Sequence, residues 1–432
     1  MLCGVLAAAV SPVHAQTALT LDEAMRRARS DTAEARVLGA LTGEAEARAR
    51  QARANFWPQI DLSEIVQRGN QPVFVFGSLL SQRRFTEAGF AIPALNQPEA
   101  LTNSRTALTV AHTLFDPART SLAVAAATLE SDLVAARREA GEQDLAFRAA
   151  QAFVRVLEFE AEVRAISAAV SAAESDQARA RARRDVGLVT DADVLALDVH
   201  LADMHQRRIT AAGDLAVARL TLAAAAGLPL SDAVTPVPPN VPSALPDPDA
   251  LVRGALPAHP RLREAAALEQ LAGTSQRMAR AAWLPTVRLQ GGWEFNGRTL
   301  AAQQSSWLVG AEVRLNLFRG FADAARAVET AQATARAVAE RERVVRQLEV
   351  EVRAALAQLA AARARQDAGR AAVAQARESQ RIIRDRYDSG LASVTDMLRA
   401  AGAALEADSR AAAADMNVIL QAVALDRALG RL

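Results

Sequence analysis

Two kinds of periodicity divide the chain. Val287, Leu289, Trp293 and Phe295 alternate with Arg288, Gln290, Glu294 and Asn296. Then Trp307, Val309, Ala311, Val313, Leu315 and Leu317 alternate with Gly310, Glu312, Arg314 and Asn316. Apolar/polar alternation twice over, with Asn296-Gly297 closing the first run, predicts two strands with one apolar face. A weaker version comes earlier. Ile60 and Leu62 oppose Asp61 and Ser63, and Leu108, Val110 and Leu114 oppose Thr109, Ala111 and Thr113. The segment between, from Gln71 to about Leu101, reads as an extended strand end and external loop. The rest is helical. No Pro occurs from about Ala118 to Asp185 or from about Ala322 to Asp388. At 1.5 Å per residue, helices of that length reach about 100 Å, the scale of a coiled coil or a duct. Gly187 and Gly390 end them as C′ residues, and return helices run from about Thr190 to Gly227 and from about Thr395 to Gly430. Thr20, with Asp22 and Glu23 behind it, opens a helix that runs to Trp57-Pro58. Its counterpart spans about Asp249 to Trp283 and begins afresh near Pro260, after Pro257.

These elements occur twice. Gly187-Leu188 through Asp193-Val194-Leu195 matches Gly390-Leu391 through Asp396-Met397-Leu398 at an offset of 203 residues. Phe115 and Phe318, and Gly227 and Gly430, keep the same offset. Upstream, Trp57-Pro58 and Trp283-Leu284-Pro285 frame a related pair in which Pro58 and Pro285 lie 227 apart, so the first copy carries 24 extra residues between Pro58 and Phe115. The unit is helix, strand, strand, long helix, helix. We expect a first repeat over 16–228, a Pro-rich extended linker over 229–248, and a second repeat over 249–432.

Composition narrows the class. A net charge of +1 gives no electrostatic case for nucleic acid. Aromatics at 4% with abundant Ala suit long helices packed closely rather than a thick globular core. The apolar run Leu2–Val10 followed by Ser11-Pro12-Val13-His14-Ala15 reads as a secretory signal over 1–15. It holds the only Cys, Cys3, so the mature chain is expected to lack disulfides. No later apolar run is long enough for a membrane helix. His200 and His205 are five apart, not the four that put two ligands on one helix face. No catalytic, cofactor or metal motif is present, and we expect no enzyme activity, metal or cofactor.

Four alternating strands per chain suit either a soluble sheet or part of a membrane barrel. Four cannot close a barrel, and open edges cannot face lipid, so membrane strands would have to be shared among chains. The chain resembles the outer-membrane efflux proteins, the TolC-like family. The carrying residues are Leu19-Thr20-Leu21-Asp22-Glu23-Ala24, the strand entries at Pro58 and Pro285, and the exits Phe115-Asp116 and Phe318-Arg319-Gly320. To these add the turns Arg184–Leu195 and Arg386–Leu398 and the ends at Gly227 and Gly430.

That resemblance implies a mainly α fold with a β-barrel portion. Four strands per chain would enter a trimeric 12-stranded barrel, continued by a periplasmic α-helical tube. It implies a homotrimer in outer-membrane lipid, a periplasmic adaptor and an inner-membrane pump as partners, and a passive exit duct for small molecules. Gly187, Leu188, Gly390 and Leu391 would form the periplasmic entrance and adaptor contact. Asp193, Tyr387, Asp396 and Arg399 are candidate constriction residues, although Asp193 and Asp396 also fit as first-turn acids on a helix dipole. Arg399 stands where a relative carries a second carboxylate, and Ala392 where some carry a locking arginine, so the family's closing latch is not intact here. Trp293, Phe295 and Trp307 are placed as membrane-girdle residues. The competing expectation is a periplasmic coiled-coil protein with small soluble hairpins and no pore.

Overall fold

The computed structural model describes residues 17–231, 234–240 and 247–432. The expected signal segment, with Cys3 and His14, lies outside them. In chain order the elements are β1 (Thr17–Leu19), α1 (Leu21–Ser30), α2 (Ala33–Arg53), β2 (Gln59–Gly69), α3 (Pro72–Ser81), α4 (Ile92–Asn96), β3 (Leu101–Phe115), α5 (Arg119–Asp185) and α6 (Asp191–Ala225). They continue with β4 (Val234–Pro236), α7 (Pro248–Ala255), α8 (Pro260–Ala281), β5 (Thr286–Gly297), β6 (Gln303–Arg314), α9 (Ala322–Asp388) and α10 (Val394–Ala428). α5 and α9 are 67 residues each, and α6 and α10 are 35 each, so over these helices the two copies match in length.

The chain forms two compact units, and each draws on both repeats. The first comprises the described parts of residues up to Thr42, Val134–Glu264 and Arg341–Leu432. Its cores repeat at the same offset of 203. Phe153, Val156 and Leu222 are buried with Leu19, Leu21 and Ala24 in one cluster. Their counterparts Leu356, Leu359 and Leu425 are buried with Val252 and Ala255 of α7 in another. Each short helix thus covers the same patch on its own long pair.

Three sequence expectations change here. The helix expected over 20–55 is broken. α1 ends at Ser30 with Asp31 as its C-cap, and Thr32 opens α2 by accepting the Ala35 amide at 3.2 Å. The reason is the Gly227 turn. A Cβ there would meet the Asp31 backbone at 3.2 Å, so the return end of the repeat needs the gap. The second repeat breaks at the matching place, where Gly430 lies against His259 and Pro260. Next, the 229–248 linker is partly built into the fold. Val234–Pro236 pairs as a strand in parallel with Thr17–Leu19, and α7 begins at Pro248, one residue before the expected second repeat. Finally, α10 begins at Val394 with Ser393 as its cap, rather than at Thr395.

The second unit comprises Gly43–Leu133 and Ala265–Glu340. It holds an antiparallel sheet in the order β2-β3-β5-β6. The expected external loop over 71–100 is instead folded. α3, a 3-10 turn at Glu87–Phe90 and α4 fill it. Pro72 and Pro93 sit in first helical turns, where a missing N–H costs nothing.

Candidate functional site: hairpin tips and an amphipathic sheet

The tips are built by matching cap chemistry at both ends of each turn. At the end of α5 the Leu188 and Gly187 amides donate to the Arg183 and Arg184 carbonyls, at 2.9 and 2.8 Å. At the end of α9 the Leu391 and Gly390 amides donate to Arg386 and Tyr387, at 2.8 and 3.0 Å. These six-residue closures need a left-handed residue, and Gly187 and Gly390 have φ of 77° and 75°. The next helices open with capping boxes. Thr190 and Ser393 accept the amides of Asp193 and Asp396, whose carboxylates accept the Thr190 and Ser393 amides in return. Asp193 and Asp396 are therefore engaged as N3 cap acids. Hydrogen bonds from the Ser393 hydroxyl and amide hold the Asp396 carboxyl below its usual range. Arg399 is exposed on the same helix and lowers it further.

Tyr387 lies elsewhere than on the surface. It is buried with Ala180, Val194, Leu197, Val394 and Met397, a small core to which all four helices contribute. Val194 and Met397 are repeat equivalents. The Tyr387 hydroxyl has no hydrogen-bond partner. Burial pushes the phenol above its ordinary pKa, and the Asp193 carboxylate pushes it further. Ala392 packs against this core.

The cross-repeat ties run through residues that spacing did not single out. Arg384 of α9 donates to Asp176 of α5 at 2.8 Å, and Arg179 also pairs with that carboxylate. The Asp176 side chain is only 9% exposed. Arg183 lies over the Tyr387 ring, donates to the Tyr387 carbonyl at 3.4 Å and pairs with Asp388 at 3.3 Å. Nothing in the sequence marks Asp176 among so many acids and arginines on α5; only the contact between repeats does. At the very ends, Val186, Leu188 and Leu391 are exposed apolar side chains. A groove of about 1170 Å³ runs between the two helix pairs, lined by both signs of charge, among them Asp176, His200, Arg207, Arg377 and Asp408.

The sheet sorts its residues by face, because side chains on a strand alternate. Trp293 pairs with Trp307 on one side and Leu108 on the other. Their face carries Ile60, Leu62, Val110, Leu289, Phe295, Val309 and Val313 as well. Trp293, Phe295 and Trp307 are all exposed, so this face is an uncovered apolar surface in one chain up to the tryptophan row, while Glu64, Ser104, Thr106 and Gln303 share it at the turn end. The opposite face carries Asp61, Ser63, Arg105, Thr109, Arg288, Gln290 and Glu294, with Arg105 and Glu294 paired across strands. β2 and β6 each have one unpaired edge among the described residues.

No helix among the described residues is long and apolar enough to cross a membrane, and no metal-ligand cluster occurs among them. The outer membrane efflux protein family model matches residues 33–228 and 251–431, most of the chain. The chain belongs to the outer membrane efflux protein family. No curated protein matches it. Among solved structures it is similar to VceC, the outer membrane protein of Vibrio cholerae, at 20% identity and a TM-score of 0.79. That match covers 95% of this chain and 96% of VceC. The Campylobacter jejuni CmeC outer membrane channel matches at 16% identity and TM-score 0.80, covering 95% and 85%. The open state of the Neisseria gonorrhoeae MtrE outer membrane channel matches at 18% and 0.74, covering 95% and 88%. This outer-membrane efflux protein is an exit duct of the outer membrane, and the soluble coiled-coil alternative finds no support.

Proposed function

We propose that three copies of this efflux protein share one 12-stranded barrel in outer-membrane lipid. Their long helices would continue it into the periplasm as a tube, where it receives small molecules from an adaptor and an inner-membrane pump. The observation that carries this reading is the four-stranded sheet, apolar on one face, polar on the other and unpaired at both edges. An open edge in hydrocarbon leaves backbone groups unsatisfied at several kcal/mol each. Pairing β6 of one chain with β2 of the next removes every edge. The apolar face then meets lipid, with Trp293, Phe295 and Trp307 in a girdle, and the polar face lines water.

The tips serve as the periplasmic entrance. Exposed Leu188 and Leu391, presented on rigid Gly187 and Gly390 turns, suit contact with the adaptor, and the mixed-charge groove beside them extends that surface. The constriction is held by the Asp176–Arg384 and Arg183–Asp388 ties together with buried Tyr387, in place of the family's latch. Asp396 and Arg399, both exposed on α10, would place opposite charges in neighbouring rings, which disfavours strong cation selectivity.

The test is fractionation with gel migration before and after boiling. A heat-dissociated oligomer band in the outer membrane supports the reading, and a soluble periplasmic single chain overturns it. A second arm addresses the tips. Asp176→Asn removes a charged partner from a mostly buried pair, a loss of about 1–3 kcal/mol. The variant is expected to raise conductance in planar bilayers; unchanged conductance would show that the tie does not close the entrance.

A further inference from the structure

The 24-residue surplus of the first repeat builds α3, and α3 is unusual for a surface helix. Its sequence, Pro72-Val73-Phe74-Val75-Phe76-Gly77-Ser78-Leu79-Leu80-Ser81, is apolar around most of its circumference, with Ser78 on the buried side. A helix apolar all round needs cover all round. Its cover stops short of one stripe. Val75, Ser78 and Gln82 are buried and Phe74, Phe76 and Leu79 are half-buried, while Val73 is 80% exposed and Leu80, two turns on along the same stripe, is also exposed.

The helix end is tied down to the sheet. Gln82 donates through Nε2 to the Thr102 carbonyl at 3.0 Å and to Asn103 Oδ1 at 2.9 Å. Asn103 Nδ2 donates on to Asn296 Oδ1 at 3.0 Å, and Arg84 donates to Gln82 Oε1 at 3.1 Å. Gln82, Asn103 and Asn296 are all buried. Arg83 takes a left-handed φ of 53° to stop the helix there, a conformation a non-glycine residue adopts only when held, and donates to the Ser305 carbonyl at 3.2 Å. Asn103 and Asn296 alternate onto the face of Arg105 and Glu294, the polar one. α3 therefore sits at the turn end of the sheet, anchored on the water side and away from the Trp293 face. It reaches from Gly69 of β2, against Phe74, to β6, so it borders both edges where neighbouring chains must pair.

We propose that the α3 helices of three chains meet across the outer mouth of the shared barrel and form an apolar lip, a second constriction at the exit. The proposal rests on the trimeric reading above. Its occupant for the exposed stripe of Val73 and Leu80 is a second copy of the same stripe. A water-lined mouth leaves that stripe uncovered otherwise, and its position is continuous with the chain-to-chain seam of the barrel. The Phe76–Phe85–Phe90 edge-to-face stack, with centroids 4.9 and 5.0 Å apart, stiffens the segment behind it.

Val73→Cys, made in the full chain with Cys3→Ala, tests this. Val73 is exposed, so the substitution disturbs no packing within the chain. Val66→Cys is the control, 65% exposed at a similar level but on the apolar face, where copies stand on opposite outer walls. Outer membranes are treated with a short bis-maleimide and the denatured chains are run on a gel. The proposal predicts on the order of tenfold more cross-linked dimer for Val73→Cys, because converging helices raise local concentration. Heat-dissociable trimers that cross-link no more at position 73 than at 66 would overturn it, leaving α3 as a lining that only passing apolar cargo touches. A wild-type chain that forms no trimer would overturn the underlying reading, which is a separate result.

Discussion

His259 shows how one side chain can set a pH limit. It is buried at the break before α8, and its Nδ1 accepts the Arg261 amide at 3.2 Å, so it caps that helix as the neutral form. Burial, and then the Arg261 charge, depress its pKa. The folded state therefore binds this proton less readily than the unfolded chain. Its contribution to stability is complete above the unfolded value of about 6.5 and is lost as pH falls below it. His200, also depressed by burial, adds the same sign. The temperature at which the oligomer dissociates should fall between about pH 7.5 and about pH 5.5, and the fall should shrink in His259→Asn, which keeps a short acceptor. An equal fall in that variant would remove His259 from the account. The helix-end glycines make a second contrast. Gly187 has open space around its missing Cβ, so Gly187→Ala should cost only the left-handed strain, about 1–2 kcal/mol. Gly227→Ala adds a 3.2 Å approach to Asp31 and should lower the dissociation temperature further. Equal losses would mean the Asp31 gap is slack.

At the element scale, the sequence declared what depends on period and breakers. The 67-residue helices follow from the absence of Pro, and the β5–β6 hairpin follows from strict alternation ending at Asn296-Gly297. The break before α8 was legible because Pro257 and Pro260 force it. The equivalent break at Asp31-Thr32 was hidden, because neither residue forbids a helix and the cause lies in the Gly227 turn almost 200 residues away. α3 was misread for a related reason. Val73-Phe74-Val75-Phe76 has strand propensity, and only its packing against β3, β5 and β6 makes it helical. The tip glycines and capping acids were visible as repeated motifs. Asp176, Arg183 and Arg384 were not, since a tie between repeats leaves no local pattern. The amphipathic sheet yields its own prediction. Trp307→Asp puts a charge on the face assigned to lipid and removes a girdle anchor; at girdle height the charge itself costs at most about 1 kcal/mol. It should reduce the amount recovered in the outer membrane, whereas Gln304→Asp on the polar face should not. Equal recovery of both would contradict the assignment of faces.

At the scale of the whole molecule, the duplication explains why one chain supplies four strands and two hairpin tips. Each repeat contributes one strand pair, one long helix and one return helix, with cores that recur at the same offset. Neither unit satisfies itself. One leaves two strand edges and an apolar face open, and the other ends in exposed Val186, Leu188 and Leu391. In the function proposed above, copies of the chain meet the first deficit and an adaptor meets the second. The most direct measurement is the number of chains in the particle extracted from the outer membrane in mild detergent, read by native mass spectrometry. The account predicts three chains per particle, because three sets of four strands close a 12-stranded barrel. A particle of one or two chains would contradict it, since the edges of β2 and β6 would then have to lie open in lipid.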